Sequence, residues 1–204
     1  MGKLGVAVIG ASNRSQMIFR YLQENPEEGY IAGVYDLIPQ RGEFLVDHFE
    51  AEDAKIYDSL DESVSDDRVD AVFIGTPDGE HVEPVLVALE AGKHVYCEKP
   101  LAITLEGCDK IVEGAREADS VFYLGMNLRH SPVHEKLHDI LESGRLGKLL
   151  TIEANEYYYG GRTYFRRWNR LRKYGGGLWI TKACHDFDLL NWFAEGNPIE
   201  VYAT

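Results

Sequence analysis

The chain has 204 residues, 45% of them hydrophobic and 11% aromatic, with 34 acidic against 21 basic residues for a net charge of −13. That is apolar material for a real core in one large or two small domains, and the acidic balance excludes a phosphate-neutralising nucleic-acid face and disfavours an anionic membrane surface. No apolar run is long enough to span a membrane, and Cys97, Cys108 and Cys184 form no Cys-x-x-Cys pair, which argues against a zinc ribbon or a disulfide framework.

The N-terminus runs straight into a strand-like segment, without the apolar core and cleavage site of a signal peptide. A reducing, cytoplasmic setting is therefore expected. Leu4 to Ile9 reads as a buried strand that Gly10 ends. From Gln16 to Gln23 the apolar spacing turns helical, with Met17, Ile18, Tyr21 and Leu22 on one side. A strand, a tight small-residue turn and a helix N-terminus let the backbone approach a pyrophosphate. Tyr30 to Tyr35 is the next strand, and Asp36 at its end can bond both hydroxyls of an adenosine ribose while repelling a 2′-phosphate. The glycine fingerprint is imperfect: Ser12 and Ser15 stand where the second and third glycines of G-x-G-x-x-G would be. A plain strand-turn-helix corner would carry the same glycine, and Asp36 is what favours a ligand.

Pro39 to Glu50 reads as a helix opened by proline. Asp58 to Asp70 is acidic and reads as a solvated surface with a short helix in it. Ala71 to Gly75 is a buried strand ending in Thr76-Pro77, and Glu80 to Ala91 a helix stopped by Gly92. His94 to Cys97 has strand character and runs into Glu98-Lys99-Pro100. Alone, that trio reads as a solvated pair ahead of a turn proline. At the carboxyl end of a parallel strand, however, the lysine can donate to a substrate oxygen and exchange protons. Thr104 caps a helix to Ala118, and Val121 to Leu124 is a further strand. Strands alternating with helices at this interval predict a doubly wound parallel sheet. Gly10, Thr76-Pro77 and Glu98-Lys99 then converge at one edge.

After Gly125 the pattern changes. Ser131 to Ser143 reads as a helix with Val133, Leu137, Ile140 and Leu141 as its apolar face. Leu149 to Tyr159 alternates, with Ile152, Ala154 and Tyr158 against Thr151, Glu153 and Asn155, as a strand of a second, more open sheet would. The loop from Gly160 to Gly177 holds Tyr164, Arg166, Arg167, Trp168, Asn169, Arg170 and Lys173, stacking faces mixed with cationic and amide donors. It suits a polyhydroxylated ligand or, equally, an arm packing on a neighbouring subunit. Thr181 to Phe193 reads as a helix, with Trp192 and Phe193 in its core face, and Ile199 to Ala203 begins another strand. Two strands make an incomplete sheet, so strands from residues beyond Thr204 or from a partner are expected. The expected division is a dinucleotide-binding domain over 1–126 and a partial substrate or oligomerisation domain over 127–204.

The combination of Gly10 to Ser15, Asp36, Thr76-Pro77 with His81, Glu98-Lys99-Pro100, Asn127-x-Arg129, Gly175-Gly176-Gly177 and His185-x-x-Asp188 resembles the Gfo/Idh/MocA oxidoreductases. The likeness covers the whole chain in the family's order. It implies an N-terminal Rossmann domain and a C-terminal α/β domain with a mostly antiparallel sheet that builds homodimers or homotetramers. It also implies a chain longer than this one. The cofactor implied is NAD rather than NADP, held at Gly10, Ser12, Asn13, Arg14 and Asp36, beside the nicotinamide at Thr76, Pro77, His81 and Glu98, and from across the site by Asn127 and Arg129. Lys99 matches the lysine touching both the reacting hydroxyl and the cofactor, and its bond to Pro100 is expected to be cis. His185 matches the catalytic histidine, with Asp188 orienting its ring. The residues implied to touch substrate are Lys99, Arg129, Trp168, Lys182, His185 and Asp188. One departure stands out: Thr181 occupies a position where many members carry an aspartate, and Lys182 follows it. The expectation is a sugar, polyol or inositol-type dehydrogenase that needs no metal. Alternatives are nicotinamide-assisted glycoside cleavage or epimerisation, and a non-catalytic dinucleotide-binding regulator.

Overall fold

The apolar runs pair into one six-stranded parallel sheet. Its strands are β1 (Leu4–Ile9), β2 (Gly29–Tyr35), β3 (Lys55–Ile56), β4 (Ala71–Ile74), β5 (His94–Cys97) and β6 (Phe122–Leu124), in the order β3-β2-β1-β4-β5-β6. The structure is a computed structural model and describes residues 2–157, 159–160 and 165–203, so the predicted roles of Tyr158 and Tyr164 lie outside the described residues. This strand order reverses direction between β1 and β4, which opens a crevice at their carboxyl ends.

Period-two alternation explains why the sheet is covered on both faces. Val6 and Val8 join a cluster with Phe19 and Leu22 of α1 (Ser15–Glu24) and Leu45 of α2 (Pro39–His48). Ala7 and Ile9 point the other way, into a cluster with Val64 of α3 (Leu60–Ser65), Val85 and Ala88 of α4 (Val82–Glu90), and Ile111 of α5 (Leu105–Glu117). Ile9, Ile74 and Ile111 are fully buried, each contributing on the order of 2 kcal/mol. Phe73, Tyr96 and Tyr123 are cross-strand neighbours and stack with centroids 5.0 and 5.7 Å apart. Helix starts follow local chemistry. Pro39 sits in the first turn of α2, and Thr104 Oγ1 accepts from Gly107 N at 3.1 Å to cap α5.

The acidic run Asp58 to Asp70 holds α3, and several of its carboxylates do more than meet solvent. Asp70 Oδ2 accepts from Gly5 N at 2.8 Å, and Asp66 accepts from Tyr57 Oη at 3.0 Å and from Arg68 at 2.7 Å. The expected helix from Glu80 begins instead as a 3₁₀ turn, Asp78–Glu80, before α4.

The second half departs further from expectation. Helix α6 (Pro132–Glu142) forms as expected. The expected strands at Leu149 to Tyr159 and Ile199 to Ala203 do not: among the described residues no strand follows Leu124, and the second, antiparallel sheet is not seen. Alternation alone does not make a strand. Without paired neighbours the backbone groups go to water, and a lone two-stranded pairing is at best marginal. Leu149, Leu150, Tyr157, Ile199 and Val201 accordingly lie exposed.

A single turn, α7 (Arg172–Gly175), lies in the expected loop, and Thr181 closes a separate one, α8 (Leu178–Thr181). The helix expected from Thr181 to Phe193 forms as α9 (Cys184–Ala194), starting three residues late. The carbonyl of Thr181, which a continuous helix would offer to the His185 N–H, accepts instead from Lys99 Nζ at 2.7 Å.

Candidate functional site

The site is built at the carboxyl ends of β1, β2, β4 and β5. Gly10 leaves β1 at φ +87°, and a Cβ there would lie 2.8 Å from Thr76 N and 3.0 Å from Gly75 C. The backbone can therefore turn tightly beside β4 only as glycine. Ser15 is fully buried and its Oγ donates to Gly10 O at 2.5 Å. Ser12 Oγ accepts from Arg14 N at 3.2 Å, leaving Asn13 and Arg14 exposed at the start of α1. The two serines are accommodated because position 75 is glycine: a Cβ at Gly75 would sit 2.8 Å from Ser15 Oγ and 3.1 Å from Ser12 Oγ. The close helix–strand approach of a third fingerprint glycine is thus met from the neighbouring strand.

Asp36 follows β2. Its Oδ2 accepts from Ala11 N at 2.8 Å, its Oδ1 accepts from Ile38 N at 2.9 Å, and Arg41 stands 4.0 Å away. Each carboxylate oxygen keeps a second lone pair. The turn after Gly10, the α1 N-terminus and Asp36 lie together at this edge. The N–H groups of Ser12 and Arg14 are bonded within the turn and that of Ala11 to Asp36, and the residues fit a dinucleotide through the small side chains of the turn and the acceptor capacity of Asp36.

On the other side of the crevice, Thr76 Oγ1 donates to Glu80 O at 3.0 Å, and Pro77 leads into the 3₁₀ turn. His81 is fully buried, with Nδ1 2.8 Å from Pro100 O and Nε2 3.2 Å from Thr76 O. Burial pushes its pKa down, so it carries one ring proton, and the shorter contact favours donation from Nδ1. His81 was expected beside the cofactor. Both its nitrogens are instead turned to protein carbonyls, where the ring clamps the ends of β4 and β5 together. The Lys99–Pro100 peptide is cis, as expected. Glu98 N donates to Ile74 O at 2.9 Å, and the buried Glu98 carboxylate lies 3.8 Å from Arg14 Nε. Burial raises the Glu98 pKa, opposed by Arg14 and Lys99.

The helical segment meets this edge through a few polar tethers. Besides the Lys99 bond, Thr181 Oγ1 lies 2.7 Å from Asp78 Oδ2 and 2.5 Å from Gly175 O. Asp78 is buried, and burial pushes its pKa up to about 6. His185 is 6% exposed, and its Nδ1 is buried without a hydrogen-bond partner. Burial, then the charges of Lys99 and Lys182, push its pKa down to about 4, so the ring is neutral at pH 7.

Asp188 does not orient this ring by a hydrogen bond as expected. Arg129 takes its carboxylate in both hands, Nε to Oδ2 at 2.8 Å and the other guanidinium nitrogen to Oδ1 at 2.6 Å, and also lies over Trp192 at 5.5 Å. Lys182 pairs with Glu156 at 2.5 Å, which holds the Glu156 carboxyl below its usual range. Asn127 is exposed at the start of a 3₁₀ turn, Asn127–His130, and Trp168 opens another, Trp168–Arg170, against α7. The structure therefore gathers Lys99, Thr181, Asp78 and His185, with Glu98 and Arg14 alongside.

Sequence reasoning missed Asp78 and the positive use of Thr181. A Thr-Pro-Asp run before a helix reads as turn and cap chemistry, and only the fold shows that the acid points into the protein. A groove of about 470 Å³ lined by Leu86, Leu89, His94 and Ser120 lies at the amino end of β5, the opposite edge of the sheet. Among the described residues no helix is long and apolar enough to cross a membrane, and no group of three or more His, Cys, Asp or Glu is placed to hold a metal ion.

Comparison with known proteins matches residues 4–126 to an oxidoreductase family with an NAD-binding Rossmann fold, and residues 134–204 to the GFO/IDH/MocA C-terminal domain. The chain is 31% identical over 206 residues to the putative oxidoreductase YteT of Bacillus subtilis, covering 97% of this chain and 48% of that protein. It is 29% identical over 206 residues to the 2,7-anhydro-N-acetylneuraminate hydratase of Mediterraneibacter gnavus, covering 100% and 53%. The fold superposes on the myo-inositol dehydrogenase of Lactobacillus casei, solved with NAD(H) and myo-inositol. The TM-score is 0.76 at 24% identity, over 95% of this chain and 55% of that one. The chain thus spans about half the length of the curated relatives it matches.

Proposed function

This chain belongs to the GFO/IDH/MocA oxidoreductase family, and on that premise we propose that it serves an NAD-dependent oxidoreductase acting on a secondary alcohol of a sugar, polyol or inositol-type substrate. The observation that carries the reading is the placement of Lys99. The end of β5 delivers it to the crevice, and its ammonium is anchored on Thr181 O at the segment that bears His185, whose Nδ1 has no hydrogen-bond partner.

The bound nicotinamide cofactor supplies the hydride acceptor. The chain's own part is to bind, orient and move a proton. The turn at Gly10 and the α1 N-terminus hold the pyrophosphate, and Asp36 accepts from the adenosine ribose and disfavours a 2′-phosphate. Lys99 donates to the substrate oxygen. His185 is neutral at pH 7, which leaves one ring nitrogen open to accept the hydroxyl proton, and its lowered pKa makes it a weak base until charge develops on the substrate oxygen. The arginine clamp on Asp188 ties down α9 one turn beyond His185.

A second reading is nicotinamide-assisted elimination on an anhydro or glycosidic sugar. It is favoured by the hydratase among the relatives and by a hydroxyl rather than a carboxylate at position 181. Product analysis separates the two: NADH accumulates with a dehydrogenase substrate and does not in a closed redox cycle. For either chemistry, Lys99→Ala is expected to lower kcat by about 10²–10⁴-fold with NADH affinity within about threefold of wild type. A Lys99→Ala protein that turns over normally would remove the assigned role.

A further inference from the structure

Three oxygens lie in a row behind Lys99: Gly175 O, Thr181 Oγ1 and Asp78 Oδ2, with gaps of 2.5 and 2.7 Å. The count of protons among them is informative. A backbone carbonyl only accepts, and a threonine hydroxyl donates one proton and accepts at its lone pairs. If Asp78 were ionised, the row would hold a single proton for two close oxygen pairs, and one pair would be bare lone-pair contact. Both contacts are hydrogen bonds only if Thr181 donates to Gly175 O and Asp78 brings the second proton.

Burial points the same way. Asp78 is 6% exposed and Thr181 4% exposed, so water cannot repair a missing donor, and a buried unpaired group costs about 1–3 kcal/mol. The groups facing Asp78 are few. Burial favours the neutral acid most strongly; a Thr181 hydroxyl turned to the carboxylate, Lys99 and a backbone hydrogen bond oppose protonation, Glu98 favours it, and Cys97 and Cys184 face it as thiols that burial keeps neutral.

We propose that at mildly acidic pH Asp78 is held as the neutral acid, donates its proton to Thr181 Oγ1, and so positions the carbonyl of residue 181 on which Lys99 is anchored. Asp78 is a positioning residue: it acts on Lys99 through Thr181 and touches neither substrate nor cofactor. When Asp78 ionises, the Thr181 hydroxyl is drawn to its carboxylate, Gly175 O loses its donor, and the α7–α8 turn that carries the Lys99 anchor loosens. The inference rests on the oxidoreductase reading only for what a well-placed Lys99 is used for.

Because the folded protein holds this proton more tightly than the unfolded chain, whose aspartate titrates near 3.8, the stabilisation is complete only below about pH 4 and is lost as pH rises from there through about 6. An asparagine can donate from its amide and cannot ionise, so Asp78→Asn mimics the neutral acid. The test is carboxyl-¹³C NMR titration of the aspartates together with thermal melts of wild type and Asp78→Asn from about pH 4 to pH 8. One aspartate resonance is expected to titrate with a midpoint near 6 and to vanish in the variant. The advantage of the variant over wild type in melting temperature should grow between about pH 4 and pH 6 and level off above about pH 7.

A variant less stable than wild type at pH 8 would overturn the proposal, as would the absence of any aspartate titrating above about pH 5. If the variant does not fold, the wild-type titration, assigned through its bonds, decides alone. Failure of NADH to bind the same protein would remove the oxidoreductase reading and leave this titration unaffected.

Discussion

Residues 4–124 and residues 132–203 are stabilised by different means. In the first stretch both sheet faces are covered, and the strand ends are tied by backbone bonds such as Gly10 N to Tyr35 O and Gly75 N to Ile9 O, each 2.8 Å. In the second, α6 has no buried residue, and among the described residues beyond Ile111 the buried apolar side chain is Leu189. Trp179, Phe187 and Ile199 are exposed. What attaches this segment to the sheet edge is polar: Lys99 and Asp78 on residue 181, and Arg129 on Asp188. A cradle set in a dry core can hold its shape without ligand. A cap held by a few charged or titratable contacts can shift with pH and with what is bound.

The contrast can be broken at either side. The largest effect is expected at Gly10→Ala, where a side chain meets positive φ and the backbone of β4 together. A loss of about 2–4 kcal/mol in urea denaturation is expected, with NADH binding abolished. A far smaller global effect is expected at Arg129→Met. The Arg129 side chain is 41% exposed, so solvent screens its bond to Asp188, and global stability should fall by less than about 1 kcal/mol. Amide exchange in α9 should nevertheless rise several-fold while β1 and β4 stay protected. Equal losses from the two substitutions would show that the regions form one cooperative unit and remove the contrast.

The same contrast explains what could be read in the sequence. The sheet was legible because β1, β4 and β5 are short apolar runs closed by Gly10, Gly75 and Glu98-Lys99, and their environment is set by neighbours with the same pattern. Strand β3, two residues long, carries too little pattern to find. Lys99 and His185 were placed from their motifs, and the structure brings their segments together at Thr181. The roles of His81 and Asp188 were not legible, because a histidine facing a ligand and one facing two carbonyls look alike in sequence. The alternation at Leu149 to Tyr159 misled for a related reason: its pairing depends on strands that no local pattern supplies. Asp78 was missed because an acid in a turn is usually solvated, and burial is a property of the whole fold.

The central claim is that the carboxyl edge of the sheet is a dinucleotide cradle ending at Lys99. Amide chemical-shift mapping with NADH tests it most directly. Saturable shifts are predicted at residues 10–15, at Asp36 to Ile38 and at Glu98 and Lys99, with β3 and the groove beside His94 unmoved. NADH that shifts none of these amides, or that shifts only the groove between α4 and α5, would contradict the account.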